Sequence, residues 1–349
     1  MELNKKERIP WLDIAKGVGM VAIVWGHVLR SGHVRTYLYA FNVPLFFILL
    51  GYTFKLGGGK LNVYIKRRFK KTMIPYYVWS LISICVFLIT VRFVQFDLSE
   101  ASTSLGMNVL GMLYANSRTI YMKWNLPLWF IPCMNFVMAV IFCFEKSIED
   151  KADSMKFSCR LIAICFFAAL GIFVQKCFPY KLPFQMETGV YLVSFAEIGI
   201  FIKNLKLIER SCRKKAGATV TAVILFAVSF LLISLNGFAE IREFNFGKYP
   251  VLYYIYSILI SIGILIVSCM LKKNSILQEI GKNSLSILLM HKFPILFFQS
   301  VFPLTKVLLR DLDTAQGIAA SMVVTLITLA MCIIGSKILK KYAPWSIGA

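Results

Sequence analysis

The sequence predicts an all-α polytopic membrane protein: about ten transmembrane helices, N- and C-termini cytoplasmic, and a single membrane-embedded domain over residues 1–349. Three observations carry that reading. The chain is 58% hydrophobic with a mean hydropathy of +0.71, more apolar sequence than a soluble core needs. The apolar residues gather into stretches near the ~20 residues that cross a bilayer as a helix. Period-2 alternation is absent, and backbone exposed to lipid must satisfy its own hydrogen bonds, so the spans are helical.

In order, the spans are 9–29, 37–55, 73–93, 127–144, 159–178, 188–203, 217–236, 251–271, 284–303 and 316–336. The first is full length and carries charges, and no small-residue cleavage site follows it, so it reads as a retained span. The second opens on Phe41-Asn42-Val43-Pro44. The third follows a basic loop, Lys66 to Lys71, and begins at Pro75-Tyr76-Tyr77. The fourth follows the longest connection, 94–126, whose mixed composition suits a short surface or re-entrant helix. The sixth carries Glu197 and is the weakest; losing it would leave an odd number of spans. The ninth holds His291, Lys292 and Pro294, a pattern for a bent helix lining a cavity, because proline frees backbone carbonyls that need other partners.

With the N-terminus inside, the inner segments hold 26 Lys and Arg and the outer ones 11. Cytoplasmic loops carry such an excess, which places both termini in the cytoplasm. It also accounts for the net charge of +22 without nucleic acid, since the basic residues alternate with spans and form no patch on a soluble domain. The nine cysteines are scattered, mostly within spans, and show no metal-ligand spacing. No metal site is expected, and buried Cys acts as a small hydrophobe.

Chemistry concentrates in the first span. Asp13, Lys16 and His27 lie in apolar sequence, where ionisable groups are costly and therefore functional suspects. Lys16 and His27 are eleven residues apart, which returns to within about 20° of one helix face, roughly 16 Å along the axis. Asp13 and Lys16 are neighbours at i and i+3. Gly17, Gly19 and Gly26 leave room for other helices to approach. Imidazole exchanges a proton near neutral pH, which makes His27 a candidate general base. A histidine alone could simply bond a neighbouring helix or a headgroup, and Lys16 could snorkel; the shared stripe favours chemistry. Arg67, Arg68, Lys70 and Lys71 suit a phosphorylated cytosolic ligand, although by composition alone orienting spans and binding anionic lipid account for them. His291 could bond a carbonyl freed by the bend, or could join a site. Asn42 could supply a hydrogen bond there, whereas packing is the default for the aromatic residues around it and for Trp129-Phe130.

The motifs fall in a familiar order. Asp13-Ile14-Ala15-Lys16-Gly17 with His27, Pro44-Leu45-Phe46-Phe47 through Gly51-Tyr52, Arg67-Arg68 and Lys71 before Pro75, Leu128-Trp129-Phe130, and Ser284 to His291 together resemble the integral-membrane acyltransferase family 3. Within it they resemble the fucose 4-O-acetylase-like branch. The resemblance covers essentially the whole chain. Departures are Lys16 where many members have Arg, Lys71 where Arg is common, and Leu50-Gly51 for Ser-Gly. No fused esterase-like domain is read, so acceptor choice is expected from the membrane domain or a partner.

The resemblance implies an O-acyltransferase, usually an O-acetyltransferase, moving an acyl group from cytosolic acyl-CoA to a hydroxyl of a cell-surface or envelope saccharide. Acetyl-CoA, or another acyl-CoA, is then a donor substrate and not a bound cofactor. The implied site has His27 as base with Asp13 and Lys16, the cations Arg67, Arg68, Lys70 and Lys71 on CoA, and Asn42, Trp129 and His291 towards the substrates. His291 or Asn42 would stabilise the oxyanion. Direct transfer and an acyl-His27 route both remain open. Expected partners are acyl-CoA, a cell-surface or lipid-linked saccharide and membrane lipid, with a homodimer allowed and no nucleic acid. The expected location is the cell membrane, specifically a bacterial cytoplasmic membrane. The competing function is export or flipping of a polysaccharide or lipid-linked sugar. Paired broken helices in two related halves would mark a transporter, and no second half matches the polar residues of the first span.

Overall fold

The computed structural model describes residues 8–29, 31–57, 59–90, 105–116, 123–301 and 313–349. These residues form helices and short connections, with one isolated bridge between Glu240 and Asn245. Among the described residues, seven helical stretches are long and apolar enough to cross a membrane: 33–52, 61–89, 124–147, 153–177, 215–236, 250–271 and 315–342. The chain is thus a multi-pass α-helical membrane protein. Three expected spans, the first, sixth and ninth, fall below that measure because they carry polar residues or are broken, yet all three are helical and lie at the centre.

Helix α1, Pro10–Val28, is the axis. Proline in its first turn fits because that position has no intrahelical N–H bond to lose. Around it stand α2 (His33–Tyr39), α3 (Asn42–Tyr52), α4 (Leu61–Arg68) and α5 (Ile74–Thr90). The second expected span is therefore two helices with a break at Ala40–Phe41. Ser257 Oγ donates to the Ala40 carbonyl at 2.6 Å, supplying a partner that the break would otherwise remove.

The 94–126 connection contains one short apolar helix, α6 (Leu105–Tyr114), and its end is a tight helical turn, Lys123–Trp129. Residues 94–104 and 117–122 of that connection, with residues 91–93 and 302–303 of the third and ninth expected spans, lie outside the described residues. Then come α7 (Phe130–Ser147), α8 (Asp153–Cys177), α9 (Met186–Asn204), α10 (Leu207–Ser211), α11 (Lys215–Asn236) and α12 (Pro250–Leu271). The most hydropathic stretch of α8 is only 11% buried and that of α11 only 22%, so these two helices form the apolar periphery. Helix α9 is the opposite: most of its residues are buried, including Glu187 and Glu197.

The ninth expected span is three pieces: α13 (Ser275–Lys282), α14 (Ser284–Met290) and α15 (Lys292–Val301). The bend expected from Pro294 falls at His291, where the chain passes from α14 to α15. Asn283 marks the other joint. Its Nδ2 donates to the Glu279 carbonyl at 2.7 Å, and its Oδ1 accepts from Ser336 Oγ at 2.7 Å and Lys340 Nζ at 2.6 Å. Those donors belong to α16 (Ala315–Tyr342), which also holds α1 through Trp25 Nε1 to Ser321 Oγ at 2.8 Å.

The three glycines of α1 each face a neighbour, as expected. Gly17 lies on the Leu277 backbone, Gly19 on Phe46 and Leu45, and Gly26 on Tyr39. The α1–α13 contact is reciprocal, because Gly281 lies on the Asp13 backbone and a Cβ there would overlap the Asp13 carbonyl. The neighbour is backbone and cannot rotate away. Gly281→Ala is therefore expected to destabilise the fold by about 1–3 kcal/mol, the usual range for forced overpacking. The check is a lowered thermal midpoint of the detergent-solubilised protein; an unchanged midpoint would mean that the two helices separate without cost.

Candidate active site

Helices α1, α3, α7 and α14 enclose two cavities in line. The first, about 40 Å³, is lined by His27, Tyr39, Asn42, Trp129 and residues 240–242, among others. The second, about 250 Å³, is lined by Met20, Phe46, Arg68, Thr72, Met134, Ser284 and Leu285. Both include Ile23, Phe130 and Leu288, which form a collar between them. Each helix contributes in register. On α1, Lys16, Met20, Ile23 and His27 follow one another at i, i+4, i+7 and i+11, one stripe of a 3.6-residue helix. Met20 lines the Arg68 cavity, Ile23 both cavities and His27 the other, so the outer part of the stripe read in the sequence faces the cavities.

His27 meets a second imidazole. Its ring centre lies 5.3 Å from that of His291, tilted 34°, and 6.2 Å edge-on from Tyr39. His291 is fully buried, and its Nδ1 is 2.9 Å from the Ile287 carbonyl. A carbonyl oxygen only accepts, so Nδ1 carries the proton. In the neutral ring Nε2 is then a lone pair, and it is buried without a hydrogen-bond partner. Neutral His291 therefore cannot donate to an oxyanion; it can only accept, from an N–H of His27 or from an incoming hydroxyl. Asn42 is better suited to the oxyanion task. It is buried, and its Oδ1 accepts from the Val43 N–H at 2.7 Å, so Nδ2 is the group left to donate.

Trp129 is buried at the His27 cavity, at the end of the tight turn before α7. Asn125 in that turn is fully buried and non-helical, and its Nδ2 donates to Ser83 Oγ at 3.0 Å and more distantly to the Leu289 carbonyl. It thereby ties the approach to α7 onto α5 and α14.

The basic cluster does not act as a block. Between α4 and α5 the chain makes a π-helical turn, Phe69–Met73, of the kind that re-aims side chains and recurs at functional sites. Thr72 Oγ1 donates to the Arg68 carbonyl at 2.9 Å and accepts from Asn135 Nδ2 at 2.9 Å. The result points Arg68 and Thr72 into the larger cavity, whereas Arg67, Lys70 and Lys71 are exposed. Arg68 lies over the Tyr64 ring at 5.8 Å, and its Nε is buried without a hydrogen-bond partner. A buried guanidinium donor with no acceptor suits a ligand oxygen.

Asp13 and Lys16 form the expected pair, at 3.4 Å, but neither lines a cavity. Asp13 is buried against α13, and the Lys16 side chain is 31% exposed on the stripe below Met20. Among the described residues no cluster of His, Cys, Asp or Glu is arranged to hold a metal ion.

Ile23, Leu288, Tyr39, Thr72, Glu240 and Arg242 were not singled out as site residues from the sequence. The first two could have been found by extending the Lys16–His27 stripe and the Ser284–His291 segment at helical spacing. The others depend on tertiary contacts that no local pattern encodes.

These features define a class: a multi-pass membrane protein with a histidine pair at one cavity and a partly buried arginine at the next. The family model described as an acyltransferase domain, that of acyltransferase family 3, matches residues 9–337. The chain belongs to this family of integral-membrane acyltransferases. No curated protein matches it.

Proposed function

We propose that the protein is an O-acetyltransferase that moves the acetyl group of cytosolic acetyl-CoA to a hydroxyl of a cell-surface or envelope saccharide, in a bacterial cytoplasmic membrane. The observation that carries this reading is the pair of cavities in line, His27 in one, Arg68 in the other, with only the Ile23–Phe130–Leu288 collar between them. The Lys and Arg excess orients the Arg68 end towards the cytoplasm, where acyl-CoA is made. Both termini lie on that side.

CoA is polyanionic, and its phosphates belong with Arg68 and the exposed Arg67, Lys70 and Lys71 at the rim. The thin pantetheine arm threads the apolar cavity past Met20 and Met134, which brings the thioester to the collar. His27 removes the proton of the acceptor hydroxyl, and the oxygen attacks the thioester carbonyl. Asn42 Nδ2 donates to the oxyanion. The carbon–sulfur bond then breaks, the acetyl ester stays with the acceptor, and the thiolate takes the proton from the His27 imidazolium. His291 Nε2 accepts the other N–H of that imidazolium and holds it in place. The pair of Asp13 and Lys16 sets the inner end of α1 against α13 and the cationic mouth.

The test is release of free CoA thiol by the purified full-length chain with acetyl-CoA, with and without a saccharide acceptor. Acceptor-dependent release is expected. Movement of a labelled lipid-linked sugar across vesicles without thiol release would favour export instead. Varying both substrates separates direct transfer, which gives intersecting lines, from an acyl-His27 route, which gives parallel ones.

A further inference from the structure

The connection between α11 and α12 forms part of the His27 cavity, and the mechanism above does not use its charged side chains. Glu240 and Arg242 line that cavity beside His27, Tyr39 and Trp129. Glu240 Oε1 accepts from Arg242 Nε at 3.1 Å and Nη2 at 2.8 Å, and Oε2 accepts from Arg35 Nη2 at 3.4 Å. The Arg35 guanidinium lies over the rings of Tyr39 at 4.5 Å and Phe238 at 4.6 Å, and Arg242 also pairs with Glu243. Two cations thus meet two carboxylates. All three groups of the cluster are partly accessible: the Arg35 side chain is 20% exposed, those of Glu240 and Arg242 14% each.

The support beneath this cluster is stiff. Asn236 Nδ2 donates to the Phe246 carbonyl and Tyr256 Oη, and its Oδ1 accepts from the Tyr249 N–H. Gly247, at φ +77°, sits against Asn236 where a Cβ would overlap it. Gln185 Nε2 donates to the Arg242 carbonyl at 2.9 Å, and the Glu240 and Asn245 backbones pair with each other. A loop held at this many points keeps its charges in fixed positions, as a recognition element needs.

We propose that Glu240, set between Arg35 and Arg242, is the acceptor subsite, and that it selects a neutral polyhydroxyl sugar carrying a second hydroxyl beside the one acylated. This rests on the acyl-transfer reading and adds the chemistry of the acceptor to it. A carboxylate only accepts and a guanidinium only donates. A sugar hydroxyl can do both, donating to Glu240 while accepting from Arg242, and so joins the cluster without breaking it. An anionic acceptor faces the Glu240 charge and must displace it from both arginines. Glu240, Arg242 and His27 line the same cavity, so a hydroxyl held by the first two brings the neighbouring hydroxyl of that ring towards His27. Trp129, in the same lining, offers a flat apolar surface for the C–H face of the ring.

The test uses purified full-length protein, acetyl-CoA and three probes: methyl fucopyranoside, methyl glucopyranoside and methyl glucuronide, with thiol release as the readout. Wild type is expected to favour a neutral glycoside over the glucuronide by at least about tenfold in kcat/KM. Glu240→Gln is expected to raise the KM for that glycoside about tenfold to a hundredfold, while the KM for acetyl-CoA moves less than about twofold. Preference for the glucuronide, or an unaltered acceptor KM in Glu240→Gln, overturns the subsite. The wild-type preference decides the matter even if the variant fails to fold. No thiol release with any glycoside contradicts the acyl-transfer reading itself.

Discussion

His27→Ala is expected to lower acyl transfer by about 10²–10⁴-fold, the usual contribution of a positioned acid–base group. The residue borders the cavity, so trimming it leaves packing largely intact and the protein should reach the membrane at its ordinary level. His27 is the group on the α1 stripe that can take a proton from a hydroxyl, and the His291 ring centre 5.3 Å away can accept from it but cannot replace it. His291 Nδ1 is committed to the Ile287 carbonyl, so its ring is fixed, and His291→Ala should cost less than His27→Ala. Acyl transfer and membrane level, measured side by side, check this. Retained activity in His27→Ala would remove the base from the mechanism.

Arg68→Ala is expected to raise the KM for acetyl-CoA by about 10–150-fold, the effect of losing a hydrogen-bonded charge worth about 1.5–3 kcal/mol. Arg67→Ala, Lys70→Ala and Lys71→Ala should each change it only a few-fold, because exposed charges contribute about 0–1 kcal/mol. The contrast follows from the π-helical turn. Four cations adjacent in sequence read as equivalent, but the turn sends one guanidinium inwards, with Nε buried and unpaired, and leaves the others in solvent. Steady-state kinetics on the four variants measure it directly. Equal effects from all four would mean that CoA is held by diffuse surface charge. Arg68→Lys should recover only part of the loss, since an ammonium lacks the planar fork.

The parts legible in the sequence were those written in a period. A spacing of eleven positions from Lys16 to His27 places both on one face, and the structure puts Met20 and Ile23 of that face on the cavity walls. The alternation of basic and apolar segments exposes the multi-pass architecture. Pro294 after His291 announces the broken ninth helix. Other parts have no local signature. The π-turn depends on Thr72 meeting Asn135, 63 residues away. The break at Ala40 is held by Ser257, 217 residues away. That Nε2 of neutral His291 can only accept follows from the Ile287 carbonyl four residues earlier, which captures Nδ1, and composition cannot reveal that. Asp13 and Lys16, the most conspicuous charges of the first span, pair as their spacing suggests but line neither cavity. Nothing local marks Glu240 and Arg242 either, because it is the fold that brings them to the cavity of His27.

The central claim is that one path joins the Arg68 cavity to His27 through the Ile23–Phe130–Leu288 collar. The most direct measurement is a cryo-electron microscopy map of the protein with a thioether analogue of acetyl-CoA, in which a methylene separates sulfur from carbonyl. Density for the pantetheine arm should run from Arg68 through the collar and end with the carbonyl beside His27 and Asn42. A nucleotide bound elsewhere, or an arm that stops on the Arg68 side with the collar closed, would contradict the account.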